Sequence, residues 1–143
     1  MYLDAHNLFD DAAAHLTTEA STNLIDLGAI RNIGVGEDIY FVIQVDVAFT
    51  DASSNSTMAI TLETDDNASF SSATTAQTVG TFAALSAIGT RFAVKLQPDV
   101  INERYLRVKY TVANGDLTTG SFTAFLTNGL QAYTSYADGI TIS

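Results

Sequence analysis

Two histidines and several carboxylates are the residues of this chain that could bind a metal ion or move a proton. His6 and His15 stand nine positions apart, which fits neither a helical i, i+4 metal pair nor a zinc-finger spacing, and the chain has no cysteine. We therefore expect both histidines to be polar surface residues. The adjacent acids Asp10-Asp11 have a similar interpretation, as a solvated patch or the start of a helix.

An acidic tripeptide offers a second kind of chemistry. Asp65-Asp66-Asn67 could present hard oxygen ligands to calcium, but the rest of an EF-hand loop is missing. An Asx turn between two strands is the better interpretation, because Asp and Asn side chains accept hydrogen bonds from backbone N–H groups two residues further on. We expect neither a metal site nor a cofactor.

Motifs of covalent catalysis are also missing. No serine lies in a G-x-S-x-G elbow, and Gly34-Val35-Gly36 lacks the third glycine of a dinucleotide loop and precedes a predicted strand. A carboxylate pair for glycoside hydrolysis is not recognisable from spacing alone. Glycosidases, however, normally carry several aromatic residues that stack on sugars, and this chain has no tryptophan. We expect that the protein is not an enzyme.

Positive side chains are concentrated in one segment. ERYLRVKYTV, residues 103–112, holds Arg104, Arg107 and Lys109, which are half of the six cations in a chain of net charge −10. Apolar and polar residues alternate along it, so Arg107 and Lys109 share one face of a strand whose other face enters a core. That face is either a solvated cover that keeps the strand soluble or a contact surface.

The bulk composition describes one soluble globular domain. The 143 residues are 47% hydrophobic and 15% charged, which argues against disorder. The acidity makes nucleic acid an improbable partner, because phosphate binding needs a basic surface. No apolar run approaches the roughly 20 residues that span a bilayer, and the first residues do not form a secretory signal. We expect synthesis in the cytoplasm and no membrane partner.

Most of the chain consists of short alternating segments separated by turn residues. Residues 39–50 alternate most strongly and predict a hairpin with residues 57–64, and Phe70 is the predicted core anchor of the crossing that follows. Further strands are predicted at residues 23–27, 77–84, 90–96, 103–112 and 121–127, with a turn at Asn114-Gly115-Asp116.

Seven or eight such strands indicate an all-β sandwich of jelly-roll or immunoglobulin type. The chain lacks the core tryptophan and the cysteine pair of immunoglobulin domains. This absence favours a jelly-roll β-sandwich of about eight antiparallel strands with an extended N-terminal arm. We divide the chain into an arm (residues 1–20), the sandwich (residues 21–128) and a C-terminal tail (residues 129–143).

The N-terminal segment does not fit the strand pattern. Leu8, Ala12 and Leu16 have helical spacing, so the segment is either a short helix or an extended arm. Its apolar side chains need a place of burial, on the edge of the sandwich or on a neighbouring subunit. The candidate anchors are Tyr2, Leu3, Leu8 and Phe9.

Five segments, taken in order, resemble one known family. They are MYLDAHNLFDDAAA (residues 1–14), NLIDLGAIRNIGVGEDIYFVIQV (23–45), LETDDNASFSS (62–72), ERYLRVKYTV (103–112) and TTGSFTA (118–124). Together they resemble the capsid cement proteins, also called decoration proteins, of tailed bacteriophages. The resemblance spans about residues 1 to 127 and leaves the tail from about residue 133 without a counterpart.

The resemblance implies a virion protein, a jelly-roll sandwich that sits on the outer surface of an icosahedral head. It would bind the major capsid protein and stabilise the shell by bridging neighbouring capsomers. A homodimer near local two-fold positions is the favoured state, and a homotrimer is the other arrangement. The family supplies no contact motif. From the residues themselves we choose the arm anchors first, and Arg107 and Lys109 second.

Two other functions are compatible with such a sandwich. A carbohydrate-binding module or host-receptor adhesin should present two or more coplanar Tyr or Phe rings on a strand face or loop. A tail or neck adaptor should assemble as a ring.

Overall fold

The computed structural model describes residues 3–32, 36–97 and 99–130, so Tyr2 and residues 131–143 lie outside the described range. Within that range there are one short 3-10 helix, Ala5–Asn7, and nine strands. The strands are β1 (Leu8–Ala13), β2 (Glu19–Ala20), β3 (Ile25–Asp26), β4 (Tyr40–Asp51), β5 (Thr57–Asp65), β6 (Thr74–Phe82), β7 (Arg91–Lys95), β8 (Tyr105–Ala113) and β9 (Leu117–Thr127).

The strands form two antiparallel sheets. The first sheet has the order β1-β9-β4-β7, and the second has the order β2-β8-β5-β6. Strand β3 also pairs with β8, next to β2 along the same strand, so β2 and β3 act as one interrupted edge strand. Counted this way, the sandwich has eight strand positions.

The pairing is nested. β1 pairs with β9, β2 and β3 with β8, β4 with β7, and β5 with β6. This is the pattern of one long hairpin rolled into two facing sheets, which defines the jelly roll. The predicted fold class is confirmed.

The predicted hairpin between β4 and β5 is wrong. These neighbours in sequence lie in opposite sheets, so the chain between them crosses the sandwich. Asp51 organises the crossing, because its carboxylate accepts hydrogen bonds from the backbone N–H of Ser56 at 3.1 Å and from the Ser56 hydroxyl at 2.8 Å. Alternation identifies a strand, but it does not identify the strand's partner.

The N-terminal segment is part of the sandwich. The 3-10 turn at Ala5–Asn7 is capped by Asp4 and leads directly into β1. β1 pairs with β9 and β2 pairs with β8, so the expected extended arm over residues 1–20 instead contributes two edge strands. The helical spacing of Leu8, Ala12 and Leu16 does not produce a helix. The segment forms a strand because this buries Phe9 in the core and places Leu8 opposite Phe125 of β9.

Alternate residues of the long strands fill the space between the sheets. The largest fully buried side chains on β4, β5, β8 and β9 are Phe41, Ile43, Phe49, Met58, Ile60, Leu62, Leu106, Tyr110 and Phe122. Phe70 is buried, as expected. It lies outside this cluster, and its ring centroid is 4.2 Å from the guanidinium carbon of Arg107.

Candidate functional site

The outer side of the second sheet carries small polar side chains around one lysine. Every second residue of β5 and β8 is buried, and the residues between them point away from the core. We call this surface the threonine face. Its residues, row by row across the strands, are Thr111, Ala59 and Thr81; Ala20, Lys109, Thr61 and Thr78; and Arg107, Glu63 and Thr75.

Arg107 is held within the chain. Its Nε and one terminal nitrogen each lie 2.7 Å from a carboxylate oxygen of Glu63, its cross-strand neighbour on β5. The same guanidinium covers the ring of Phe70. An arginine engaged on both sides contributes to the stability of the sheet and has less freedom to bind a partner.

Lys109 has no such contact. Of the three cations in residues 103–112, Arg104 binds Asp26 and Arg107 binds Glu63, while Lys109 has no ion-pair or hydrogen-bond partner in the described part of the chain. Its neighbours across the strands are Ala20 and Thr61. The alternation correctly placed Arg107 and Lys109 on one outward face, and the structure leaves Lys109 available.

The arm anchors are placed very differently from one another. Leu3 is 56% exposed and lines a shallow groove beside Phe125. Leu8 is half-buried opposite Phe125, and Phe9 is fully buried with its ring centroid 5.9 Å from that of Phe41. The choice of Phe9 as a contact residue is therefore wrong, because its side chain is in the core. Tyr2 lies outside the described residues.

A cluster of polar side chains is buried on the inner side of β8. His15 lies on the connection that carries the chain from the first sheet to the second, and its ring stacks on Tyr110 at a centroid distance of 4.3 Å. Its Nε2 lies 3.0 Å from Asp10 Oδ1, and its Nδ1 lies 3.2 Å from Glu19 Oε1. Neither contact meets the geometry of a hydrogen bond, and each is an ion pair when the His15 ring is protonated.

Asp10 is the hub of this cluster. The Tyr110 hydroxyl donates to Asp10 Oδ2 at 2.6 Å, and the backbone N–H of Thr22 donates to Asp10 Oδ1 at 2.8 Å. The carboxylate is fully buried, so each of these contacts compensates part of the cost of removing its charge from water.

The pKa values in the cluster move in the directions that favour an ion pair. Burial alone would lower the pKa of His15, but the contact with Asp10 and the charges of Asp10 and Glu19 outweigh it, so this pKa is raised. Burial alone would raise the pKa of Asp10, but its contacts with His15, Tyr110 and Thr22 lower it. Burial and the nearby Asp10 carboxylate raise the pKa of Tyr110.

The cluster can fasten one part of the chain to another. His15 is 4% exposed, and Asp10 and Tyr110 are fully buried, so a substrate has no access to the pair. The groups join β1 and the crossing that follows it to β8, which is about 90 residues further along the chain. We conclude that this cluster is a structural tie, named here the histidine tie (Asp10, His15, Glu19 and Tyr110).

His15 and Asp10 were expected at the surface, and this prediction is wrong, because both side chains are buried. Spacing along the chain could not reveal them, because their partner Tyr110 lies on a distant strand. One signal was available. Tyr110 was predicted on the core face of its strand, and a buried tyrosine hydroxyl usually needs a hydrogen-bond partner. His6 and Asp11 are exposed, as expected.

The acidic tripeptide forms the predicted turn. The backbone N–H groups of Asn67 and Ser72 donate to the two carboxylate oxygens of Asp65 at 2.9 and 2.8 Å. The Asx turn is thus confirmed. Within the described ranges, no group of three or more His, Cys, Asp or Glu residues is arranged to hold a metal ion.

A cleft among the described residues opens at one end of the sandwich. It encloses about 480 Å³ above Ile25, Leu27, Ile39 and Leu126. Asp4 is the one titratable side chain among its described lining residues. A cleft of this kind presents an apolar floor without converging ionisable groups.

A family model matches nearly the whole sandwich. The model named Bbp16 matches residues 9–126, from the start of β1 to the end of β9. The chain belongs to the Bbp16 family. A search of curated proteins found no match. No helix among the described residues is long and apolar enough to cross a membrane.

Proposed function

We propose that this Bbp16-family protein is a structural protein of a phage virion. In this proposal it is a cement, or decoration, protein that binds the outer surface of the icosahedral head. Its partner is the major capsid protein, and it stabilises the head by bridging neighbouring capsomers. It is made in the host cytoplasm and acts by holding other subunits in place.

One observation carries the proposal: the jelly roll leaves the threonine face uncovered, while the buried carboxylate of Asp10 is bound by groups of the chain itself. The inner side of β8 is closed by the histidine tie, and the outer side presents Lys109 among threonines. A rigid sandwich with one open polar sheet face is suited to binding the surface of another protein. The resemblance of the five segments to cement proteins supports the same role, and the family match covers residues 9–126 of the same sandwich.

Bridging explains how modest contacts could reinforce a shell. A dimer that binds two capsomers converts its second contact into an intramolecular event, so the combined affinity exceeds that of either contact. Two-fold symmetry would place the two contact surfaces on either side of a seam. We favour a homodimer for this reason, with a homotrimer as the other arrangement.

The adhesin function has no comparable support among the described residues. The aromatic ring on the outer side of β8, Tyr105, is covered by the guanidinium of Arg104, whose carbon lies 4.9 Å from the ring centroid. A sugar-binding platform needs rings that are open to the ligand.

Co-sedimentation with phage shells tests the proposed role. Purified protein is mixed with expanded shells that lack it, and the pellet is assayed for saturable binding. We expect saturable binding to expanded shells and greater resistance of the decorated shells to heat. Absence of binding, or binding with no stoichiometric limit, would contradict the proposal. Mass measurement in solution separates a dimer or trimer from the larger ring of an adaptor.

A further inference from the structure

We infer that the threonine face is the surface that this protein applies to the shell, and that the partner presents a carboxylate to Lys109, set among uncharged polar groups. This inference rests on the proposed function. It assigns to one sheet face the contact that the sequence analysis divided between an N-terminal arm and two cations.

The first reason is the state of the charges on the face. The single carboxylate in its three rows, Glu63, is neutralised by Arg107 at 2.7 Å, while Lys109 has no partner among the described residues. The chain as a whole has a net charge of −10. An acidic patch on a partner is therefore repelled less by the threonine face than by the rest of this acidic protein surface. On the threonine face it can also pair with the cation of Lys109.

The second reason is the size of the side chains. Lys109 lies between Ala20 and Thr61, and Thr78 completes the row on β6. Threonine and alanine have few rotamers to lose, and they allow the backbone of a partner to approach closely. Threonine hydroxyls can donate and accept hydrogen bonds, which suits a polar partner surface.

The third reason comes from the outer side of the first sheet. Its central apolar pair, Val42 and Phe125, lies directly across β4 and β9 and is only 1% and 4% exposed. The centre of that face is already covered, whereas Thr111, Thr78 and Thr81 of the threonine face are exposed.

The fourth reason is that the sheet edges are protected against strand addition. β7 carries Arg91 and Lys95 at its two ends, and β2 and β3 are two residues each. The pairings of β1 and β6 each contain two register irregularities, which distort an edge. The edge strands are therefore poor templates for the addition of a partner's strand, and the threonine face remains available for binding.

The occupant is a different protein and not a second copy of this chain. A symmetric contact centred on Lys109 would bring two unpaired lysines together, and each copy would lack the carboxylate that the other needs. The self-contact of a dimer is expected elsewhere on the surface.

Charge-reversal variants test this assignment in the co-sedimentation assay. Lys109→Glu should weaken shell binding by at least about tenfold, because it opposes two negative charges at the contact. Arg31→Glu is the matched control, since Arg31 is exposed, lies outside the sheets and undergoes the same change of charge. It should bind as the wild type does.

A bulk variant tests the face without changing charge. Thr78→Tyr places a large side chain on the outer side of β6 and should reduce binding by about tenfold or more. Ala93→Tyr is its control, because Ala93 is exposed on the outer side of the first sheet, opposite Val42. Thermal melts of all four variants should match the wild type, which shows that each is folded.

The outcomes separate the two proposals. Loss of binding in Lys109→Glu and Thr78→Tyr, with both controls unaffected, supports the assigned face. Wild-type binding with undiminished binding of the two face variants overturns the assignment and leaves the cement role standing. Failure of the wild type to bind overturns both. A change in the solution mass of Lys109→Glu identifies the face as a self-contact and also overturns the inference.

Discussion

The two sides of strand β8 both meet charged groups, but they use them in opposite ways. On the inner side, Tyr110 contacts a buried carboxylate and a buried imidazole that neutralise each other. On the outer side, Lys109 lies among threonines and has no partner within residues 3–32, 36–97 and 99–130. The inner charges join distant parts of the chain, and the outer charge is available to another molecule.

This difference separates stability from recognition along a single strand. A buried charge that loses its partner is strongly destabilising, whereas an exposed unpaired lysine contributes little to folding. Substitutions on the inner side should therefore change the free energy of unfolding, and those on the outer side should change binding. The predictions below test this division, starting with the largest effect.

Asp10→Ala should give the largest loss of stability. The change leaves the His15 ring without its closest anion and removes the acceptor of the Tyr110 hydroxyl and the Thr22 N–H. We expect a loss of about 3–5 kcal/mol in the free energy of unfolding, measured by urea denaturation. Asp11→Ala is the control, because Asp11 is exposed, and its effect should stay within about 0.5 kcal/mol. Equal effects of the two variants would contradict the histidine tie.

Tyr110→Phe should have an intermediate effect. It keeps the ring that stacks on His15 and removes only the hydroxyl that donates to Asp10 at 2.6 Å. A hydrogen bond to a charged group contributes about 1.5–3 kcal/mol, and we expect a loss of that size in urea unfolding. Tyr105→Phe, on the outer side of the same strand, should be nearly neutral. A neutral Tyr110→Phe would show that Asp10 does not depend on the hydroxyl.

The stability should also depend on pH in a defined way. The pKa of His15 is raised by folding, so its contribution is present below its ordinary value of 6.5 and is lost as the pH rises through the folded pKa. The pKa of Asp10 is lowered, so its contribution is present above 3.8 and is lost as the pH falls through the folded pKa. The histidine tie therefore stabilises the folded protein most between pH 3.8 and pH 6.5.

Urea unfolding between pH 5.5 and 9 measures the histidine part of this dependence. The wild type should lose stability with rising pH, with a limiting slope of about 1.4 kcal/mol per pH unit. His15→Phe should be less stable throughout and nearly independent of pH in this range. His6→Gln should follow the wild-type profile, because His6 is exposed. A flat wild-type profile would show that folding does not raise the pKa of His15, and it would contradict the histidine tie.

The outer side should give the smallest changes in stability. Arg107→Met removes the partly buried pair with Glu63 and the contact with Phe70, and we expect a loss of about 1 kcal/mol. Lys109→Ala should change the free energy of unfolding by less than about 0.5 kcal/mol while it weakens shell binding. A Lys109→Ala variant that loses as much stability as Tyr110→Phe would remove the distinction between the two sides.

The same contrast explains which features could be predicted from the sequence. The outward position of Arg107 and Lys109 follows from alternation within one strand, as does the inward position of Tyr110. The jelly roll follows from the number of strands and the resemblance to cement proteins. These are local or cumulative signals, and the structure confirms the placements and the fold class.

The errors all concern pairings between distant segments. β4 and β5 were joined as a hairpin, Phe9 was assigned to a free arm, and His15 was placed in solvent. Each of these three predictions depends on which sheet the chain enters after it leaves a strand. Neither the alternation nor the spacing of residues determines that. The partner of Arg107 was missed for a related reason, because Glu63 becomes its neighbour only when β5 and β8 pair.

The pairing of β1 with β9 has a consequence for synthesis. Tyr110 follows Asp10 by 100 positions, and β9 is made later still. At about 5–20 residues per second, a ribosome needs roughly 5–20 s to supply the partners of the first strand. Asp10 remains without Tyr110, and β1 without β9, for that time, so the sandwich closes late, as a step that involves nearly the whole nascent chain.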